Sequence, residues 1–311
     1  MFKDLRGANR NISERVNPQP HDRIVHGWGK VLKLKEISAI YQPEDRRICE
    51  ELFSSPRWRV GEGLSVDELV VMVGKYFSGV PYVANTIETE GKESLVINLR
   101  QFDCFTFIEN CVVLAQLIEA GKSTFEAFVA HMKRIRYRKG LLKGYSSRLH
   151  YFSDWVHDNE KKGVVKDITG KIGGNPFLKE IHFMTRHSEN YPGLKVNASY
   201  REMLAVEKRL SGQIRHVILK AGFEKVEGRI EDGNLIGITT DIEGLDVTHV
   251  GFAVWVKNHV HLLHASEKEK KVVVSKNTLN DYLLGKETMS GILIGQVQSI
   301  LKDSREAFVS E

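Results

Sequence analysis

Cysteine is scarce in this sequence. Its 311 residues hold three, Cys49, Cys104 and Cys111, and no CxxC pair. That excludes a disulfide framework and a cysteine-rich zinc site. Cys104 and Cys111 are not a bridge either, because seven residues of helix put them about 10 Å apart along the axis. Long apolar runs are missing too. None approaches the roughly 18 residues of a membrane-spanning helix, so no integral membrane segment is expected. The opening stretch MFKDLRGANRNISERVNPQPHDR lacks the apolar core of a signal peptide. Net charge is nearly absent. With 45 Lys and Arg against 40 Asp and Glu the formal balance is +5, too small an excess to argue for nucleic acid. Internal repeats and low-complexity tracts are absent as well.

What is present is enough apolar residue to bury a substantial core without staples. Residues 1–30 are polar, with Pro18 and Pro20, and read as an extended arm. EDRRICEELFSS, from Glu44, has helical spacing through Ile48, Leu52 and Phe53. Ser65 and Glu68 stand at capping-box spacing and open a helix from about Val66 to Phe77. SGVPY, ending at Tyr82, breaks it, and SLVINL over 94–99 has strand character. From Phe105 to Ile118 the chain is apolar on nearly every side, which describes a buried central helix with Asp103 at its N-cap. Residues 122–200 look helical and irregular. From about Arg215 the period changes to two. HVGFAVWV, HVHLLHAS, KKVVVSK and GILIGQV read as strands. Helices first and strands last make the class α+β.

The chemistry turns on FDCFTFIENC, residues 102–111. Cys111 has apolar neighbours at helical spacing and reads as core, as does Cys49. Cys104 is different. As the first helical residue after an Asp103 cap, its sulfur would lie over unpaired backbone N–H groups and the positive end of the helix dipole. Both favour the thiolate, while the Asp103 charge opposes it. Such a nucleophile needs a base, normally a histidine. In VTHVGFAVWV, His249 shares a face with Gly251 and Ala253, small residues that leave room beside it. If Lys257 and Asn258 form a two-residue turn, Val256 faces His259 and Gly251 faces His264. His249 and His264 then become diagonal neighbours on one face. His264 would hold His249 in the tautomer that accepts the thiol proton. His259 and His261 point the other way. Alternating parity therefore splits the four histidines and disfavours a zinc site, and no metal or other cofactor is expected.

The order of helix-start Cys, strand His and next-strand polar residue resembles that of papain-like enzymes. FDCFTF, THVGF and LLHAS are similar to the motifs of NlpC-type cell-wall amidases and peptidases, and GVPY resembles their element ahead of the cysteine. Ordinary members carry the histidine much closer behind the cysteine. The long insertion, with YSSRLHYFSDW inside it, is similar to a bacterial branch long catalogued as a domain of unknown function and akin to N-acetylmuramoyl-L-alanine amidases. The resemblance covers roughly Ser65 to Val297. It implies a papain-like α+β core over 44–311 with a helical insertion at about 122–214, behind an N-terminal arm at 1–43.

It also implies cleavage of the amide between N-acetylmuramic acid, in its 1,6-anhydro form, and L-alanine of peptidoglycan fragments. Cys104 would be the nucleophile, His249 the base and His264 its orienter. Tyr82 and Asp103 resemble family positions lining the substrate groove. Arg148 and His150, in the insertion, are candidates for gripping a stem-peptide carboxylate or a sugar hydroxyl. The alternatives are a γ-D-glutamyl endopeptidase of the stem peptide, a non-catalytic wall-binding module and acyl transfer involving lipids. The expected partner is a muropeptide, with no nucleic acid, and the expected state is a monomer. The compartment would be periplasm or cell envelope if a leader is removed, and cytoplasm otherwise. KEKKVVVSK (268–276) reads as a solvated strand edge and KRIRYRKG (133–140) as a solvated basic run.

Overall fold

The computed structural model describes residues 38–61, 63–89 and 91–301. Most of the N-terminal arm expected over 1–43 lies outside the described residues. Strand β1 (Ala39–Ile40) leads into helix α1 (Pro43–Ser54). Asp45 in the first turn of α1 is fully buried. Its carboxylate accepts the Leu99 N–H at 2.8 Å and the Arg100 Nε–H at 3.0 Å. The start of α1 thereby fixes the segment that enters the central helix. Helix α2 (Val66–Tyr76) opens with the Ser65–Glu68 capping box that the spacing predicts. The strand expected over 94–99 shrinks to β2 (Leu95–Val96), which pairs with β1 in parallel.

Helix α3 (Cys104–Glu119) is the apolar run, and its middle is buried on every side. Beyond it come α4 (Phe125–Arg136), α5 (Phe152–Glu160), β3 (Val165–Asp167), β4 (Asn175–Phe177), α6 (Phe183–Arg186) and α7 (Asn197–Ser211). Part of this stretch gathers its own small apolar cluster around Tyr151, Met184, Leu194 and Met203. The last third holds β5 (Arg215–Leu219), β6 (Leu235–Thr240), β7 (Val247–Val256), β8 (His259–Ser266), β9 (Lys271–Val274), α8 (Leu279–Leu284) and β10 (Met289–Val297). Strands β3 to β10 form one antiparallel sheet of order β4-β5-β10-β6-β7-β8-β9, with β3 also paired to β10.

Alternation along β7 divides the core. Val250, Phe252 and Val254 join the cluster built on α2 and α3. Ala253, with Ile236, Ile238 and Leu262, joins the cluster capped by Phe223 and by Leu279 and Leu283 of α8. The mixed, α+β character of the chain follows from this arrangement of helices on both faces of a sheet. Helix α2 crosses β8 so closely that a Cβ on Gly74 would lie 2.7 Å from Leu263 Cδ2. The insertion docks in the same way, since a Cβ on Gly237 of β6 would lie 2.4 Å from the Phe152 ring. Phe152 and Trp155 both turn their rings edge-on to Phe105 at the start of α3.

One buried ion pair joins α3 to α4. Arg136 Nε donates to Glu109 Oε2 at 2.7 Å, with both side chains 2% exposed, and Arg136 Nη1 donates to the Val96 carbonyl. Arg136→Ala strands the Glu109 charge in the core and is expected to cost about 3–5 kcal/mol in a denaturant titration. A joint Arg136→Met, Glu109→Leu variant should restore most of that loss. A single-variant loss under about 1 kcal/mol would mean that water already reaches the pair.

Candidate active site

The hairpin register is the one the spacing predicts. Val256 pairs with His259 and Phe252 with Leu263, around a turn in which Lys257 takes φ +56°. The ladder stops at Phe252–Leu263. Beyond it β7 stays with β6, and β8 continues with β9. The Ala253 N–H and carbonyl face the β6 side, bonding Asn234 and Gly233. By the antiparallel alternation the Val250 N–H faces the opposite way, into the fork between β7 and β8. There it lies within hydrogen-bonding reach of the Cys104 sulfur. The two strands diverge, and the start of α3 occupies the opening.

Asp103 caps α3 as expected. Its carboxylate accepts the Thr106 N–H at 2.7 Å and the Thr106 hydroxyl at 2.9 Å, and its own N–H donates back to Thr106 Oγ1. The Cys104 and Phe105 N–H groups reach the sulfur, as does Val250. All three favour the thiolate. They do not prevail: burial first, then the Asp103 charge, pushes the Cys104 thiol up to about 12. The helix start acts in the expected direction but is outweighed, so the resting sulfur carries its proton.

His249 and His264 meet. His249 Nε2 and His264 Nδ1 are 2.6 Å apart, and the two rings are nearly perpendicular. His264 is 2% exposed. Burial, reinforced by the neighbouring His264 and Lys286, pushes His249 down to about 3. Burial alone pushes His264 down to about 4. Both imidazoles are neutral at rest. With one proton in the bond between them, one ring donates and the other accepts. His259 and His261 do fall away from this pair. His259 lies 3.5 Å from Glu227, and His261 Nδ1 bonds the Ser275 carbonyl. Among the described residues no three metal-type side chains converge.

Tyr82 lies against the segment that enters α3. Its N–H donates to the Lys270 carbonyl, and it bridges to Phe102 just ahead of Asp103. Burial first, then Cys104, raises its hydroxyl. Asp103 is half-buried next to Cys104 in the chain, with its carboxylate engaged by Thr106.

Arg148 requires a correction. It was expected to grip substrate, but it is 4% exposed and its charge is matched internally. Its Nη2 donates to Glu88 at 2.7 Å, its Nε lies 3.3 Å from Glu93, and the guanidinium covers the Tyr145 ring. It is a strut that ties the insertion to the segment following Tyr82. His150 is likewise turned inward. Its Nε2–H donates to the Tyr145 carbonyl at 2.9 Å, and its ring lies on Tyr145 at 4.5 Å. Burial, then Arg148, holds it well below the usual imidazole range.

Sequence reasoning missed Tyr282. This residue of α8 lies against both histidines, with ring centroids 6.3 Å from His249 and 5.9 Å from His264. Thr278 and Asp281 stand at N-cap spacing and do signal a short helix, yet nothing in that signal ties the helix to the hairpin. Two cavities lie away from the thiol. One of about 300 Å³ sits between α5 and β10, and another is lined by α6 and α7. Neither is lined by Cys104, His249 or His264.

Comparison with known proteins shows the family. Residues 72–292 match the AmiA-like family, described as N-acetylmuramoyl-L-alanine amidase-like. The chain is similar to the crystal structure of an N-acetylmuramoyl-L-alanine amidase from Bacteroides uniformis. Identity is 34% and the TM-score 0.71, over 75% of this chain and 99% of that one. It is similar to a Bacteroides fragilis protein named a putative xylanase, at 36% identity and TM-score 0.70, over 73% of this chain and 100% of that one. A Legionella pneumophila protein at 21% identity and TM-score 0.62, over 82% of this chain and 95% of that one, shares the fold. No curated protein matches the chain.

Proposed function

The chain belongs to the AmiA-like, N-acetylmuramoyl-L-alanine amidase-like family, and from that premise we propose that it is a cysteine amidase. Its substrates would be peptidoglycan fragments with 1,6-anhydro-N-acetylmuramic acid joined to L-alanine. The observation that carries this reading is the histidine pair at 2.6 Å, with His249 borne by the strand whose Val250 N–H reaches the Cys104 sulfur. On the same reading residues 44–311, of which 302–311 lie outside the described residues, make up one papain-like domain, with the insertion closing one end of the substrate groove.

The protonation pattern follows from the bond. Because Nε2 of His249 faces His264, the nitrogen left for the thiol is Nδ1. For Nδ1 to accept a proton, Nε2 must carry hydrogen and donate it to His264 Nδ1. His264 is then the Nε2–H tautomer. Cys104 Sγ attacks the lactyl carbonyl, and its proton passes to His249 Nδ1. The Cys104 and Phe105 N–H groups at the helix start suit the developing oxyanion. The imidazolium returns its proton to the L-alanine nitrogen as the C–N bond breaks. Water, deprotonated by His249, then attacks the thioester, and muramoyl lactate leaves with Cys104 protonated again.

A neutral thiol–imidazole pair is suited to this sequence, since charge is created only when the substrate carbonyl arrives. Tyr82 and Asp103 are the groove residues on this reading, and a monomer without nucleic acid or cofactor suffices for it. The working compartment is periplasm or envelope if a leader is removed, and cytoplasm otherwise. Among the described residues no helix is long and apolar enough to cross a membrane.

Mass spectrometry of products tests bond and substrate together. Anhydro-muropeptides should yield a complete stem peptide beginning at L-alanine and a sugar ending in its lactyl carboxylate. Free stem peptides should be left whole. Cleavage of a sugar-free peptide after D-glutamate would replace this reading with the endopeptidase.

A further inference from the structure

The His249–His264 pair leans on a third ring. Tyr282 stacks on His249 with planes 28° apart and stands perpendicular to His264. Its helix is only six residues long but firmly seated. Leu279 and Leu283 are fully buried on either side of it, and the Thr278 hydroxyl caps Asp281 N–H. A charge on Cys104, when it forms, is near enough to raise the Tyr282 phenol. No hydrogen bond of the Tyr282 hydroxyl forms among the described residues, which leaves the ring as its contribution.

We propose that Tyr282 is a positioning residue, whose ring holds His249 in the rotamer bonded to His264 and keeps water off the pair. This rests on the reading of Cys104, His249 and His264 as the reacting set. An edge-and-face triad of rings fixes orientation at little entropic cost, because an aromatic side chain has two rotatable bonds. Removing the ring hydrates both imidazoles and lets His249 swing, which lowers turnover and favours the charged forms. Tyr282 faces the pair from α8 and Lys286, just beyond that helix, acts on His249; Cys104 and Glu267 lie near enough to act on the Tyr282 phenol, and the same two groups with Asp103 act on Tyr82.

The test compares Tyr282→Leu and Tyr282→Phe in the full chain. The first readout is the pH dependence of Cys104 alkylation by iodoacetamide, which needs no muropeptide and so stands even if the amidase reading fails. The second is kcat and KM on an anhydro-muropeptide. Tyr282→Leu should move the acid limb of alkylation upward by roughly one pH unit and lower kcat about tenfold to a hundredfold, with KM nearly constant. Tyr282→Phe should keep both profiles. An unmoved acid limb in Tyr282→Leu overturns the proposal. So does a Tyr282→Phe loss as large as that of Tyr282→Leu, because the hydroxyl would then be the acting group. Should Tyr282→Leu fail to fold, the Phe variant still separates ring from hydroxyl, and Tyr282→Met supplies a ringless side chain of closer volume.

Discussion

Cys104→Ala is expected to abolish hydrolysis of anhydro-muropeptides, by a factor on the order of 10³ or more, in a protein that keeps its fold. The side chain is half-buried at a helix start whose cap is made by Asp103 and Thr106, so the cap survives the loss of sulfur and only its contacts with backbone N–H groups are given up. Cys104→Ser should be nearly as inactive, because a hydroxyl at this site has no thiolate chemistry to offer. Cys111→Ala is the counterpart. Its thiol lies fully buried among apolar residues and burial holds it well above the ordinary range. Its loss should cost about 1 kcal/mol of stability and leave turnover intact. Equal losses in the two variants, measured by product release with circular dichroism as the check on folding, would remove Cys104 from the mechanism.

His264→Ala should lower kcat by roughly 10²–10⁴-fold while KM changes little, as expected for a group that orients a base rather than holds substrate. His264→Asn should recover part of that loss, since an amide oxygen can accept the His249 Nε2–H. A KM defect with unchanged kcat would take His264 out of this role. The pair also sets a pH signature. Both imidazoles are depressed, to about 3 and about 4, by burial. The acid limb of kcat/KM should therefore fall below the ordinary imidazole value near 6.5. Stability follows the same sign. The unfolded chain takes up protons as pH drops below about 6.5, while the folded pair does not. The stability these histidines confer is complete above that value and is lost as pH falls toward 3. Thermal melts between pH 7 and pH 4 should show the decline, and His264→Asn should flatten it.

Much of this site was legible in the chain because two rigid periodicities bear on it. Asp103 and Thr106 sit at cap spacing and α3 is apolar all round, so the position of Cys104 at the helix mouth could be read directly. A two-residue turn fixes hairpin parity, which alone decided that His249 and His264 share a face. Other parts carry no local signal. LIGITT of β6 is buried at all six positions, so it shows no alternation and does not declare itself a strand. Arg148 looked free because its partners, Glu88 and Glu93, lie some sixty and fifty-five positions upstream in a stretch that spacing cannot fold onto it. Tyr282 reaches the histidines only through the docking of α8. The meeting of Cys104 with β7 depends on where the ladder opens, and a register argument gives pairs but not where pairing ends.

That opening has a spectroscopic consequence. Inside a sheet, an amide proton is locked between strands and responds weakly to events at a neighbouring site. The Val250 proton is released from its ladder and points at sulfur. Its chemical shift and solvent-exchange rate should therefore respond to the charge on Cys104, to acylation and to alkylation. The backbone supplies an intrinsic reporter on the nucleophile, readable by ¹⁵N correlation spectra without any added label.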